Sequence, residues 1–224
     1  MSLNTDLDYI LCTILSFIPA SVFHEVAHGL AAWRLGDPTA KAQGRLSLNP
    51  LKHIDPFGTV ILPGILMLAN MPVFGFAKPV PYNPRYFKNR KTGDLIVGLA
   101  GPCANLIMAI LAAAIMNLLY PISQIVANNS EIFLYFYFMF LPTFIMINLV
   151  LMFFNLLPIP PLDGSSIFAV LLPAKYLPNY YKIQRYAMPI FMVVAIMLPY
   201  IFHINPIGAY LDFTCNLFAS ATLN

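Results

Sequence analysis

Charge is the scarcest commodity in this sequence. Asp, Glu, Lys and Arg make up 9% of its 224 residues, where a soluble domain carries about 25%. That deficit excludes an ordinary water-soluble domain. The net charge is only +3, too little for an electrostatic grip on phosphate backbones, so no nucleic-acid partner is expected. Cysteine is also sparse. Cys12, Cys103 and Cys215 lie far apart in apolar surroundings, with no CxxC pair. This argues against a disulfide framework or a thiolate zinc site, and the three read as small buried hydrophobes. No positive region precedes the first apolar run, where Asp6 and Asp8 stand instead, so a cleaved signal peptide is not expected. No repeat, low-complexity tract or appended soluble domain is visible. The chain 1–224 is expected to form one membrane-embedded domain, with its core at about 8–172 and a C-terminal helical hairpin at about 187–221.

What is abundant is apolar: 59% of the residues are hydrophobic and the mean hydropathy is +0.75. Crossing a hydrocarbon core of ~30 Å takes about 20 helical residues. Runs at 8–33, 95–119 and 132–157 approach or exceed that length, the last being the longest. The predicted class is an all-α polytopic bundle of about five or six membrane segments in a lipid bilayer. Pro63 and Pro72 interrupt the run at 57–74, and Pro158, Pro160 and Pro161 break the backbone at 158–164. Positive loops face the cytoplasm. With the acidic N-terminal tail outside, Arg34, Lys41, Arg45 and Lys52 fall inside. The loop with Lys78, Arg85, Lys88, Arg90 and Lys91 joins them only if 57–74 is re-entrant or shallow. Irregular backbone at membrane depth is tolerated where protein or water covers it. The alternative is an ordinary span in a protein that breaks the charge rule.

Inside the first apolar run sits HEVAH: His24, Glu25, Val26, Ala27 and His28. Positions i and i+4 share one face of a helix. Two imidazoles so placed can hold one Zn²⁺, with Glu25 on the adjacent side near a reacting water. Ionisable groups buried in a membrane are costly and mark functional sites. A catalytic zinc takes a third protein ligand and keeps a position open. Asp163 is the strongest candidate, in a proline-broken turn that Gly164 allows to be tight. His24 and His28 precede Arg34 by ten and six residues, roughly 9–15 Å along a helix. The charge-derived topology brings Asp163 to the same side. The bland reading of Asp163 is a helix cap. Asp37, Asp55 and Asp94 read as caps or turn formers in loops.

These residues carry a resemblance. FHEVAHGLAAWRLGD, GRLSLNPLKHIDPFGT, FGFAKPVPYNP, LAGPCANL and FNLLPIPPLDG together resemble the site-2 protease family of intramembrane zinc metalloproteases, in particular its small prokaryotic branch without a PDZ domain. The match covers roughly residues 20–170. It implies one zinc per chain on His24, His28 and Asp163, with Glu25 as general base and acid. It also implies that Asn155 helps hold or polarise the substrate, and that Asn105 faces the catalytic region. One departure is visible: Ser165 and Ser166 stand where the family often has Gly and Arg.

The implied function is hydrolysis of peptide bonds within or near a transmembrane segment of a membrane-protein substrate, as in regulated intramembrane proteolysis. An upstream protease would trim the same substrate first. The implied location is a prokaryotic inner membrane, with the active site towards the cytoplasm. The competing readings are a membrane zinc-binding protein or transporter without proteolytic activity, and an inactive relative. A transporter predicts sites along a path and often repeated halves; the ligands here share one depth. An inactive relative does not require Glu25. His53 is either a gate or metal contact or, more plainly, a loop histidine bonded to a neighbour. Asn105 taken alone reads as interhelical glue. AKPVPYNP reads as extended, either a surface loop or a platform for an unwound substrate segment.

Overall fold

The computed structural model describes residues 5–68 and 77–223, and all regular structure among them is helical. Six helices carry the architecture: α1 (Thr5–Arg34), α2 (Arg90–Leu119), α3 (Glu131–Asn155), α4 (Ser165–Leu171), α5 (Leu177–Phe202) and α6 (Pro206–Leu223). Three runs are long and apolar enough to cross a membrane: Leu7–Arg34, Arg90–Ala127 and Glu131–Asn155. A helix pairs its backbone polar groups internally, as a spanning segment in lipid must. Outward-facing Leu7, Ile14, Leu15, Ile107, Leu111 and Leu118 are exposed and suit acyl chains.

Local chemistry sets the helix ends. Gly36 takes φ +101°, and the Asp37 N–H reaches Ala32 O at 3.0 Å. This is a glycine terminus closed six-to-one in the left-handed region. Asn89 caps α2 by accepting from Thr92 N at 3.3 Å, and Ser130 caps α3 by accepting from Phe133 N at 3.3 Å. α3 passes through a wide π-type turn at Phe136–Phe140 and ends at Asn155, short of the prolines.

α1, α2 and α3 pack against one another. Their core joins Ala20 of α1, Ala109, Ala112 and Ala113 of α2, and Tyr137, Leu141, Phe144, Ile145 and Leu149 of α3. The alanines of α2 let the backbones approach closely, while α3 contributes the bulk. α4 lies against α2, and α6 against α3.

Several boundaries differ from those predicted. α2 begins at Arg90 rather than 95, because Asn89 supplies the cap. Asp94, expected in a loop, is therefore buried on α2, with its carboxylate 3.7 Å from Arg90 Nε. The run expected to be longest, 132–157, is exceeded by Arg90–Ala127, because 120–127 continues in helical turns. The C-terminal pair starts at Leu177, ten residues early, so Lys182 lies on α5. The pair bends at His203, which holds φ 53°. In the 57–74 segment, a wide turn at Pro56–Ile61 runs into a short helix, Leu62–Leu68. Asp55 caps it by accepting from Phe57 N and Gly58 N at 3.0 and 2.7 Å. Residues 69–74 lie outside the described residues, so the re-entrant course proposed for 57–74 does too.

Candidate metal centre

α1 places His24 and His28 one turn apart on the face turned to α2, both buried. α1 and α2 run antiparallel, so each imidazole meets a different turn of α2. His24 Nδ1 lies 2.6 Å from Asn105 Oδ1, and His28 Nδ1 lies 2.6 Å from Val97 O. Both oxygens can only accept, so the proton sits on Nδ1 of each ring and each Nε2 keeps a free lone pair. Asn105 is itself fixed. Its amide donates to Ala20 O at 3.2 Å and to Asn148 Oδ1 at 2.8 Å, and Asn148 donates to Phe144 O at 2.8 Å.

The rings need room that α2 provides at Gly101. A Cβ there would stand 2.4 Å from His28 Nε2 and 2.6 Å from His24 Nε2. Gly98 makes similar room a turn earlier, where a Cβ would meet Ser166 Oγ at 2.3 Å and Asp163 O at 3.0 Å. The two glycines therefore seat the histidines and the Asp163 turn against one helix.

The 156–164 turn delivers the third group. Asn155 O accepts from Gly164 N at 2.6 Å, and Asp163 O accepts from Ser166 N at 3.0 Å and from Ser166 Oγ at 2.7 Å. A side chain on Gly164 would collide with Leu156 O at 2.2 Å. Asp163 Oδ2 lies 3.1 Å from His24 Nε2 and 3.3 Å from His28 Nε2. That oxygen is buried, with no hydrogen-bond donor among the described residues.

The two Nε2 atoms are 3.0 Å apart. Two lone pairs and a carboxylate oxygen thus converge with no donor between them. Such a set repels itself unless a cation sits among them. Nitrogen and oxygen donors bound to tetrahedral zinc at about 2.0–2.1 Å stand roughly 3.3 Å from one another. The donors His24, His28 and Asp163 fit that ion in spacing, type and charge.

The remaining predicted residues fall in different places. Glu25 is half-buried on the neighbouring side of α1, where its Oε2 accepts from Val80 N at 2.7 Å. Asn105 faces the cluster, bonded to His24 Nδ1. The Asn155 amide donates to Leu151 O in its own helix at 3.0 Å. His53 is buried, and its Nε2 lies 2.7 Å from Ser47 O, outside the three-donor cluster. Asp37, predicted as a turn former, accepts from Thr39 N at 2.9 Å and also from Asn83 N at 2.5 Å. Two contributors went unpredicted. Asn148 carried a readable signal, an amide in the middle of an apolar run. The Val97 carbonyl carried none, since any residue offers one.

The model of Peptidase family M50 matches residues 121–198. A protein of Bacillus subtilis (strain 168) with the name "Putative zinc metalloprotease YwhC" is 36% identical over 199 residues, covering 88% of this chain and 82% of that one. "Putative zinc metalloprotease Rip2" of Mycolicibacterium smegmatis is 31% identical over 154 residues, 69% of this chain and 54% of its own length. Its namesake in Mycobacterium tuberculosis H37Rv is 30% identical over 153 residues, covering 68% and 54%. This chain therefore spans about half the length of the Rip2 proteins. No solved structure matches it.

Proposed function

This chain belongs to peptidase family M50, the site-2 protease family, and from that premise we propose that it is an intramembrane zinc metalloendopeptidase of the HExxH type. It cleaves membrane-protein substrates within or near a transmembrane segment. The observation that supports this most strongly is the convergence of His24 Nε2, His28 Nε2 and Asp163 Oδ2, with Glu25 one residue from the first of them. His24, His28 and Asp163 hold one zinc per chain. When bound, that ion supplies Lewis acidity, polarising the scissile carbonyl and making water nucleophilic near neutral pH.

The chain's own groups do the rest. Asn105 and Val97 O fix the tautomer and angle of the two imidazoles. Glu25 takes the proton of the attacking water and passes it to the leaving amine. One Glu25 oxygen is held by Val80 N–H, so the other, Oε1, is assigned to proton transfer. Asn155 stands at the end of α3, where leaving Leu151 O would let its amide donate to the substrate carbonyl. A helical substrate shields its carbonyls, so the cleaved stretch must unwind, which helix-weakening residues favour.

The broken backbone at 158–164 gives water a polar path to the site. The positive loops favour a cytoplasmic opening for that path, and the family resemblance favours a prokaryotic inner membrane, with five or six membrane segments in all. In regulated intramembrane proteolysis an upstream protease would first shorten the substrate. The test compares the purified protein with its Glu25→Gln variant on a single-span substrate. Cleavage is expected to vanish while zinc stays at one ion per chain. Equal cleavage by both proteins would remove Glu25 as the base.

A further inference from the structure

The stretch 77–83 has no regular structure, yet buried charge ties it down at both ends. Pro79 and Pro81 fix their own φ near −65° and push Lys78 and Val80 into the extended region. At one end Arg45, 8% exposed, donates through Nη1 to Lys52 O. Through Nη2 it donates to Lys78 O at 2.7 Å and towards Pro79 O at 3.4 Å. Lys78 N donates in turn to His53 O at 2.9 Å. At the other end Asn83 N donates to the buried Asp37 carboxylate at 2.5 Å.

Between these anchors the prolines leave a single N–H at 79–81, that of Val80. It donates to Glu25 Oε2 at 2.7 Å. Val80 is seated against α1 one turn beyond Glu25, where a Cβ on Gly29 would come within 2.8 Å of Val80 Cγ1. A buried guanidinium that binds backbone carbonyls instead of a carboxylate is a costly way to gain stability. What it achieves is a fixed position for the 78–83 segment.

We infer that Arg45 is a positioning residue for Glu25. It clasps the 78–83 strap so that the Val80 N–H holds the Glu25 carboxylate in one orientation beside the metal donors. The strap thereby belongs to the catalytic apparatus, acting through one peptide N–H. This rests on the reading of Glu25 as the general base.

The test measures kcat, KM and zinc per chain for the purified full-length protein with a single-span substrate. Arg45→Met keeps the apolar stem and removes the donors. Its kcat is expected to fall about 10–100-fold, the usual effect of losing an outer hydrogen-bond partner, with KM within about twofold and zinc unchanged. Arg45→Lys, which retains one cationic donor group, recovers some of the loss. Val80→Pro deletes the single N–H in a segment that already carries two prolines, and lowers kcat to a similar degree. The double variant falls no further than the worse single one, because both changes remove the same bond. Wild-type kcat in Arg45→Met, additive losses in the double variant, or a loss carried by KM or by zinc would overturn the inference. Should Arg45→Met fail to fold, wild-type kcat in Val80→Pro overturns it alone. Full cleavage by Glu25→Gln would instead strike the proposed base, so the two failures are distinguishable.

Discussion

Gly101→Ala is the smallest change that reaches the three-donor cluster. The new Cβ would sit 2.4 Å from His28 Nε2 and 2.6 Å from His24 Nε2, where ordinary contacts begin at 3.4 Å. The rings must withdraw by about 1 Å, a large step in a close-packed interior. Neither ring is free to move, since Asn105 Oδ1 and Val97 O each hold an Nδ1 at 2.6 Å. Relief therefore breaks one or both hydrogen bonds, at about 1 kcal/mol each, and pulls the Nε2 atoms off the point they share with Asp163. Disturbing ligand orientation weakens metal binding about 10–100-fold, or roughly 1.4–2.8 kcal/mol. Helix propensity works the other way, because Gly→Ala inside a helix gains about 1 kcal/mol. The two effects have opposite signs, which makes the experiment decisive. Chelator competition on the purified protein should show zinc held about 10–100-fold more weakly, and cleavage should fall with occupancy. Wild-type zinc affinity together with a raised melting temperature would show that the imidazoles do not converge over Gly101, and the reasoning would fail.

Two further substitutions separate the components of the site. Asn105→Ala leaves His24 Nδ1 without an acceptor and Asn148 Oδ1 without its donor. It should weaken zinc about 10–100-fold and lower stability by about 1–3 kcal/mol, read by chelator competition and thermal unfolding. Asn155→Ala removes an amide that, among the described residues, donates to Leu151 O within its own helix. It should leave zinc affinity within about twofold of wild type while reducing kcat, and a tenfold loss of zinc would contradict that placement.

The fold was legible where composition dictated it. Scarce charge and three long apolar runs led directly to helices that can span lipid. The ends were less legible, because caps such as Asn89 and the extra turns at 120–127 depend on single side chains and on packing. HEVAH was readable because helical spacing alone puts two imidazoles on one face. Asp163 was readable from the turn residues around it. The part played by Gly101 was not legible, since its contact with both rings appears once α1 and α2 are paired. The link from Arg45 to Glu25 was hidden for a different reason. It runs through backbone carbonyls and one peptide N–H, which the identities of the strap residues do not reveal.

The central claim is one metal ion held by two imidazoles and a carboxylate contributed from either end of the core. Zinc X-ray absorption spectroscopy on the purified protein, with Asp163→Ala alongside, tests it most directly. The expected spectrum shows two imidazole nitrogens and oxygen donors at about 2.0–2.2 Å, with an oxygen contribution altered or zinc lost in Asp163→Ala. A shell containing sulfur, or one that is identical in both proteins, would contradict the account.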